Sequence, residues 1–237
     1  MGYRRDMPTT RIALVGDKDL RYVTHRALDA VMAQLPAGVE AEWVGTDTPQ
    51  ARALDAFDGI WMLPGTPYRD DDAALAAIDR ALDAGTPLLG TCGGFQHVVL
   101  ALARRLAGIE DAAHAELDPA AAEPVVAPLA CSLIGEEREV TCVPGTRLAA
   151  ICGTAPFTGF HYCGYGLSAE FVARLEDAGV VISAHAPDAG VEGIELPEHP
   201  FFVATLFQPQ MGALSGAPLH PLIAAFAEEA GRVRVDG

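Results

Sequence analysis

The first half of the chain alternates short apolar runs with amphipathic stretches, and this alternation constrains the fold more than any other feature. Short apolar runs that end in glycine or a polar residue are typical of strands buried on both faces of a parallel sheet. The predicted strands are Arg11–Gly16, Ala41–Val44, Asp58–Leu63 and Pro87–Thr91, and the predicted helices are Leu20–Leu35, Pro49–Ala56, Asp70–Ala84 and the segment after Cys92. The pattern predicts an α/β fold with a central, mostly parallel sheet flanked by helices.

After about residue 120 the pattern changes to short β-rich runs, which predicts a mixed second half. The predicted strands there are Glu123–Ala127, Arg138–Val143, Leu148–Cys152, Val180–His185, Gly193–Leu196 and Phe202–Phe207, and the predicted helices are Ala169–Ala178 and about His220–Ala230. No internal repeat, charge block or Ser/Gly linker divides the 237 residues. We therefore predict an N-terminal tail over residues 1–10 and a single domain over residues 11–232.

Charge and cysteine usage limit the classes of partner. The chain has 16 Lys and Arg against 32 Asp and Glu, a net charge of −16, which argues against binding a phosphate backbone. No apolar run approaches the ~20 residues of a membrane span, and no secretory signal is recognisable. The 5 cysteines lack metal-binding spacing. We expect a cytoplasmic protein with free thiols and a small-molecule substrate, and without a metal, a cofactor, nucleic acid or a membrane as partner.

The segment Leu88–Leu100, LLGTCGGFQHVVL, contains a glycine-rich turn around a cysteine, which is the most informative feature for function. Cys92 stands between a buried strand and an amphipathic helix, and Gly90, Gly93 and Gly94 surround it. A turn this tight needs residues without Cβ and lifts the cysteine to the carboxyl end of the sheet, as in a nucleophile elbow. The helix N-terminus favours a thiolate, and the Gly93 N–H points where an oxyanion would form. Together these features predict a cysteine nucleophile for acyl transfer.

A second glycine turn, Leu63–Thr66, ends the preceding strand. Loops at this edge of an open parallel sheet line the ligand crevice, so Gly65 is a candidate for a second oxyanion N–H. Alone, a Pro-Gly pair is a common turn signal, and Cys92 alone would also fit a buried cysteine at an ordinary turn. The assignment of Gly65 therefore depends on the elbow at Cys92, whose three glycines favour it over an ordinary turn.

Four blocks of the sequence resemble the glutaminase domain of CTP synthase, a class I glutamine amidotransferase. They are Arg11–Gly16 (RIALVG), Gly90–Gln96 (GTCGGFQ), Leu106–Pro119 (LAGIEDAAHAELDP) and Glu198–Gln210 (EHPFFVATLFQPQ). The resemblance implies a flavodoxin-like fold of the class I amidotransferase type. It also implies a family mechanism in which a Cys-His-Glu triad hydrolyses glutamine through a γ-glutamyl thioester.

The resemblance assigns roles to individual residues. It makes Cys92 the nucleophile, Gly65 and Gly93 the oxyanion donors, and Gln96 and Glu116 contacts to the substrate. The sequence leaves the protein partner open between a second copy in a homodimer and a separate synthetase or acceptor subunit.

The chain departs from the family at the triad. Where the family has Phe-His-Pro-Glu, this sequence has Phe207–Gln210 (FQPQ), so Gln208 and Gln210 replace the base and its orienting carboxylate. A glutamine amide does not accept a thiol proton near neutral pH. The segment Phe160–Tyr165 lacks the arginines with which the family holds a carboxylate. We predict weak or no glutaminase activity and a substrate without a free α-carboxylate.

His161 is the candidate to replace the missing base. If its segment is extended, His161, Cys163 and Tyr165 share one face, which would place a base and two substrate contacts near Cys92. A structural imidazole and a small buried thiol are the competing interpretations. The sequence favours a cysteine-nucleophile enzyme that acts by acyl transfer or hydrolysis on a small carbonyl, amide or nitrile. It leaves open a catalytically inactive binding or regulatory protein and a redox enzyme that uses Cys92 and Cys163.

Overall fold

A computed structural model describes residues 9–236 of the chain. The strands are β1 (Thr10–Val15), β2 (Val39–Val44), β3 (Gly59–Met62), β4 (Leu88–Thr91), β5 (Ala112–His114), β6 (Glu123–Pro128), β7 (Glu136–Cys142), β8 (Phe157–His161), β9 (Tyr165–Leu167), β10 (Val181–Ala186), β11 (Gly190–Glu195) and β12 (Phe202–Thr205). The α-helices are α1 (Val23–Met32), α2 (Asp71–Ala84), α3 (Gly93–Arg105), α4 (Arg147–Cys152), α5 (Ala169–Asp177) and α6 (Pro221–Asp236). Of the tail predicted over residues 1–10, residues 1–8 lie outside the described part, and Thr10 already begins β1.

The principal sheet has 9 strands in the order β2-β1-β3-β4-β12-β11-β10-β7-β8. The first five strands in this order are parallel to their neighbours, and the pairings from β12 to β8 are antiparallel. A smaller sheet has 3 strands, β5-β6-β9. The prediction of an α/β fold with a mostly parallel first half and a mixed second half is confirmed.

The central strands are buried on both faces because helices cover both sides of the sheet. Every residue of β3 and β4 is buried. Alternate residues of β1 join different core clusters: Ala13 and Val15 pack with α2 and α3, while Ile12 and Leu14 pack with α1 and α6. This two-sided burial explains why the strands appear in the sequence as continuous apolar runs rather than as alternating ones.

The segment predicted as a strand over Leu148–Cys152 is the helix α4, so that prediction is wrong. The Thr146 side chain caps the helix by accepting a hydrogen bond from the Ala149 N–H, and Gly153, with φ 85°, ends it. Local capping and two alanines outweigh the apolar run here. The helix predicted over Pro49–Ala56 is a 3₁₀ turn over Pro49–Arg52.

The short strands β5, β8 and β9 were not predicted. β5 and β9 both pair with β6, and β8 pairs with β7. Each of these strands is short and is stabilised by its pairing rather than by a local sequence pattern. Among the described residues, no helix is both long and apolar enough to cross a membrane.

Candidate active site

Cys92 adopts a backbone conformation that is rare for a residue with a side chain. Its φ is 53° and its ψ is −109°, and it is the only non-glycine residue with positive φ among residues 9–236. The Cys92 N–H donates to the Thr205 carbonyl oxygen at 2.9 Å, and the Cys92 carbonyl oxygen accepts from the Gln96 N–H at 3.1 Å. These hydrogen bonds hold the strained residue between β4 and α3. Strain of this kind concentrates at functional sites.

The glycines after Cys92 let two backbone segments approach closely. A Cβ on Gly94 would overlap the Met62 carbonyl oxygen at the end of β3. A Cβ on Gly93 would lie 2.8 Å from Thr66 Cγ2 and 3.1 Å from Gly65 N. The cysteine turn and the Gly65 loop are therefore packed backbone against backbone, as the glycines of the sequence predict.

The arrangement brings backbone N–H groups close to Cys92. Gly65 has φ 105°, and its N–H has no hydrogen-bond acceptor within the described part of the chain. The Gly93 N–H belongs to the first turn of α3, where helix geometry leaves it without an intrahelical acceptor. Donors fixed in this way beside a nucleophile stabilise negative charge that develops on a substrate oxygen.

Cys92 opens onto a cavity of about 260 Å³. Seven of the residues singled out in the sequence line it: Gly65, Cys92, Gln96, Glu116, Cys163, Tyr165 and Gln208. Gly93, His161 and Gln210 are not among the lining residues. Thr66 and Tyr162, which lie within the segments singled out in the sequence, also line the cavity, as does Tyr22, which no sequence motif marked.

A hydrogen-bond network fixes Gln96 in the cavity wall. Its Nε2 donates to the Tyr165 carbonyl oxygen at 2.8 Å, and its Oε1 lies 3.1 Å from His114 Nε2. His114 Nδ1 accepts from the Glu116 N–H at 3.2 Å, so the proton of the imidazole is on Nε2. Burial, and then the nearby His97, lowers the pKa of His114 to about 4. A neutral His114 therefore supports the wall, a role that sequence reasoning missed.

His161 lies beneath the cavity wall and pairs with a residue that the sequence analysis did not single out. His161 Nε2 lies 2.9 Å from Glu192 Oε1, and both side chains are fully buried. The other carboxylate oxygen of Glu192 accepts from the Phe207 N–H at 3.1 Å. His161 Nδ1 has no partner within the described part of the chain. The pair couples β8 and β11 to the segment that leads into Gln208.

The predicted common face of His161, Cys163 and Tyr165 does not form. Strand β8 ends at His161 and β9 begins at Tyr165, so the alternation is broken by the turn between them. The turn brings Cys163 close to Cys92. The interaction with the Cys92 thiol and, second, burial raise the pKa of Cys163 well above its ordinary value. The Cys92 thiol in turn lies 3.7 Å from the Tyr162 carbonyl oxygen, to which it donates.

Gln208 and Gln210 stand where the resemblance implies the histidine and glutamate of the triad, and their side chains form a hydrogen bond with each other. Gln210 Nε2 donates to Gln208 Oε1 at 2.8 Å. Both side chains are buried, and Gln208 Nε2 and Gln210 Oε1 lack partners within the described part of the chain. Among residues 9–236, no group of three or more His, Cys, Asp or Glu is placed to hold a metal ion.

A large mixed sheet with a parallel first half, and a strained cysteine between a central strand and a helix that faces a glycine loop from the neighbouring strand, define the class I glutamine amidotransferase fold. The chain belongs to the Peptidase C26 family of class I glutamine amidotransferases, whose sequence model matches residues 64–210.

Curated relatives include CTP synthases. The chain is 32% identical over 247 residues to that of Methanopyrus kandleri, an alignment that covers 94% of this chain and 45% of the relative. It is 34% identical over 245 residues to that of Saccharopolyspora erythraea, with coverage of 93% and 43%. The chain thus spans less than half the length of these relatives.

Solved structures share the fold. The glutaminase domain of Trypanosoma brucei CTPS with bound acivicin has a TM-score of 0.79 and 24% identity, with 94% of each chain covered. A glutamine amidotransferase from Thermotoga maritima has a TM-score of 0.55 and 14% identity, with coverage of 94% of this chain and 92% of that one. The homology to CTP synthase glutaminase domains supports a glutamine amidotransferase-like function.

Proposed function

We propose that the protein is a cysteine-dependent enzyme that transfers or hydrolyses the acyl group of a small carbonyl, amide or nitrile compound. The observation that carries this proposal is the positive φ of Cys92 in a turn packed against the Gly65 loop. A strained cysteine beside unpaired N–H groups has a direct use in acyl transfer, whereas a protein that only binds ligands has no need of it.

In the proposed reaction, the Cys92 thiolate attacks the carbonyl carbon and forms a C–S bond. The carbonyl π electrons move to oxygen, and the Gly65 and Gly93 N–H groups donate hydrogen bonds to that oxyanion. When the tetrahedral intermediate collapses, the C–N bond breaks, the amine leaves with a proton, and a thioester remains on Cys92. Water or an acceptor amine then attacks the thioester, which restores the free thiol.

We assign His161 as the acid or base, oriented by Glu192 in the way a triad carboxylate orients its histidine. His161 does not border the cavity, so in this proposal the proton passes by way of the Cys163 thiol, which lies beside Cys92. A cysteine at a helix N-terminus needs less help from a base than a serine does.

The charge of the cavity supports a particular substrate class. Glu116 is the only Asp, Glu, Lys or Arg among the described residues that line it. A carboxylate on the substrate would meet this negative charge without a compensating cation, whereas an ammonium group would be attracted to it. We therefore propose a substrate that bears an amino group and no free α-carboxylate. With Gln208 and Gln210 at the triad positions, glutamine itself is expected to turn over weakly or not at all.

A thiol redox function is the alternative that a specific contact favours, namely the interaction of the Cys163 thiol with the Cys92 thiol. In that reaction a peroxide oxidises Cys92 to a sulfenic acid, and the Cys163 thiol then displaces water to form a disulfide. Cys142 and Cys152 are free thiols that also interact with each other, and they provide an internal comparison. A redox enzyme would form the Cys92–Cys163 disulfide at substoichiometric peroxide, before the Cys142–Cys152 pair reacts.

A protein partner is also proposed. The curated relatives are CTP synthases, and the partner we propose is an acceptor or synthetase unit, or a second copy of this chain.

The test of the proposed function compares two thiols of one protein. Cys131 is exposed and Cys92 is 5% exposed, so exposure alone favours reaction at Cys131. We expect p-nitrophenyl acetate, a small ester, to acylate Cys92 faster than Cys131 when both peptides are followed by mass spectrometry. Acylation of Cys131 without acylation of Cys92 would contradict the proposal and favour the catalytically inactive binding or regulatory protein.

A further inference from the structure

His25 lies on α1, outside the cavity, and contacts the loop that carries Gly65. It is 2% exposed. Its Nδ1 accepts from the Asp19 N–H at 2.9 Å, and its Nε2 lies 2.9 Å from the Pro64 carbonyl oxygen. Because Nδ1 is an acceptor, the imidazole carries its proton on Nε2 and donates it to Pro64. Two backbone groups thus fix the tautomer and the orientation of one buried side chain.

The Pro64 carbonyl belongs to the same peptide group as the Gly65 N–H. This peptide bond is trans, so its C=O and N–H point in opposite directions. A carbonyl held on the His25 side therefore turns the Gly65 N–H away from His25. The other side is the cysteine turn, because Gly65 N lies 3.1 Å from the position a Cβ would take on Gly93. The hydrogen bond from His25 thus sets the direction of the proposed oxyanion donor.

The orientation of the Pro64–Gly65 peptide group needs the constraint that the His25 hydrogen bond supplies. Glycine populates positive and negative φ with similar ease, so the Pro64–Gly65 peptide has no side chain on Gly65 to resist rotation. We propose that His25 is a positioning residue that keeps the Gly65 N–H directed at the reacting carbonyl, an inference that rests on the proposed acyl-transfer function. His25 acts through the peptide and does not touch the substrate.

The surroundings of His25 restrict its own movement. The rings of Tyr22 and Trp43 contact the imidazole with centroid distances of 5.5 and 5.3 Å. Trp43 is itself fixed, since its Nε1 donates to Asp29 at 3.0 Å. A Cβ on Gly65 would lie only 3.3 Å from His25 Nε2, so the loop and the imidazole fit closely. The donor is therefore held before any substrate arrives.

The chain contains a matched control. His199 makes the same pair of backbone contacts, with Nε2 3.1 Å from the Ala81 carbonyl oxygen and Nδ1 accepting from the Phe201 N–H at 3.3 Å. Ala81 lies in α2 and does not line the cavity. Loss of His199 removes an equivalent structural hydrogen bond without changing the direction of an N–H at Cys92.

The experiment compares two reactions of Cys92 in full-length variants. Acylation by p-nitrophenyl acetate develops an oxyanion, whereas alkylation by iodoacetamide is a displacement at carbon that develops none. We expect His25→Phe to slow acylation at least about tenfold and to leave alkylation within about twofold of the wild type, because only acylation uses the oxyanion donors. His25→Gln, which keeps an N–H near the position of Nε2, should recover most of the acylation rate, and His199→Phe should change neither reaction.

Equal acylation of wild type and His25→Phe would overturn the inference. So would a parallel loss of both reactions in His25→Phe, since that pattern reports a general structural defect rather than a misdirected donor. If wild-type Cys92 is alkylated but never acylated, the proposed acyl-transfer function is wrong. If the wild type is acylated and His25→Phe is acylated equally fast, only the proposed role of His25 is wrong.

Discussion

The two walls of the cavity differ in whether the backbone or the side chains supply their polar groups. On the wall formed by the Gly65 loop and the Cys92 turn, the backbone supplies the functional groups and glycines permit the close approach. On the opposite side, between β8 and the segment after β12, buried side chains hydrogen-bond to one another: His161 to Glu192, and Gln210 to Gln208. Of these four described residues, Gln208 is the one that lines the cavity. In the proposed function the first wall stabilises charge on a substrate, whereas the second presents an amide where a base would be needed.

The comparison separates the groups that backbone geometry alone can supply from those that need a particular side chain. N–H donors persist wherever the turn persists, because any sequence that folds this way presents them. A base requires a titratable side chain at the cavity, and the one charged residue at this cavity is Glu116. We therefore expect thioester formation to be better supported than thioester breakdown.

The largest expected effect comes from breaking the glycine contact on the backbone wall. Gly94→Ala places a Cβ on the Met62 carbonyl oxygen, and we expect the free energy of unfolding to fall by more than about 4 kcal/mol, or the protein not to fold. Gly164 is the control, because a Cβ added there would meet no atom within 4 Å and its φ lies outside the left-handed region. Chemical denaturation should therefore show little change for Gly164→Ala, and equal stability of the two variants would disprove the close packing.

The second effect tests the buried pair on the opposite wall. His161→Phe removes the imidazole and leaves the buried Glu192 carboxylate without its partner, and we expect a loss of about 3 kcal/mol in the free energy of unfolding. The control is His185→Phe on the exposed side of β10, which should cost almost nothing. Acylation of Cys92 measured at a temperature where His161→Phe is folded then tests the base: an unchanged rate would remove His161 from the mechanism.

The third effect is a pH dependence of stability. Burial lowers the pKa of both His114 and His220 to about 4 from an ordinary value of 6.5. The unfolded chain binds these protons near pH 6.5 and the folded chain only near pH 4, so the stabilisation is complete above pH 6.5 and is lost as the pH falls towards 4. Each histidine contributes about 3 kcal/mol to this loss.

Urea titrations between pH 7 and pH 4 measure that loss, and His114→Gln and His220→Gln should each remove a comparable share of the pH dependence. A pH profile that neither substitution alters would show that these histidines are not the source.

The smallest expected effect comes from rebuilding the second wall. Gln208 and Gln210 already lie in hydrogen-bond contact at 2.8 Å, so Gln208→His with Gln210→Glu would place an imidazole at the cavity with a carboxylate to orient it. We expect hydrolysis of the Cys92 thioester to accelerate at least about tenfold. Gln208→His alone should give less, because the imidazole then lacks its orienting partner. No gain in the double variant would mean that these positions do not face the reacting carbon.

The sequence predicts the first wall well and the second wall poorly, for a physical reason. The glycines around Cys92 and at Gly65 are required by the local backbone conformation. They can therefore be recognised from a short segment of sequence. The pairing of His161 with Glu192 joins strands that are 31 residues apart, and no local pattern announces it. The same holds for His25 and Pro64, which are 39 residues apart. Strand β8 ends at His161, so the expected alternation towards Tyr165 failed at a turn that only tertiary packing fixes.

The time course of nitrophenolate release from p-nitrophenyl acetate tests the contrast between the two walls most directly. We predict a fast phase of about one nitrophenolate per chain, as the Cys92 thioester forms, followed by a much slower steady rate, because thioester breakdown lacks a base at the cavity. Cys92→Ala should lose the fast phase entirely. A linear time course that is identical in wild type and Cys92→Ala would contradict the assignment of Cys92 as a competent nucleophile.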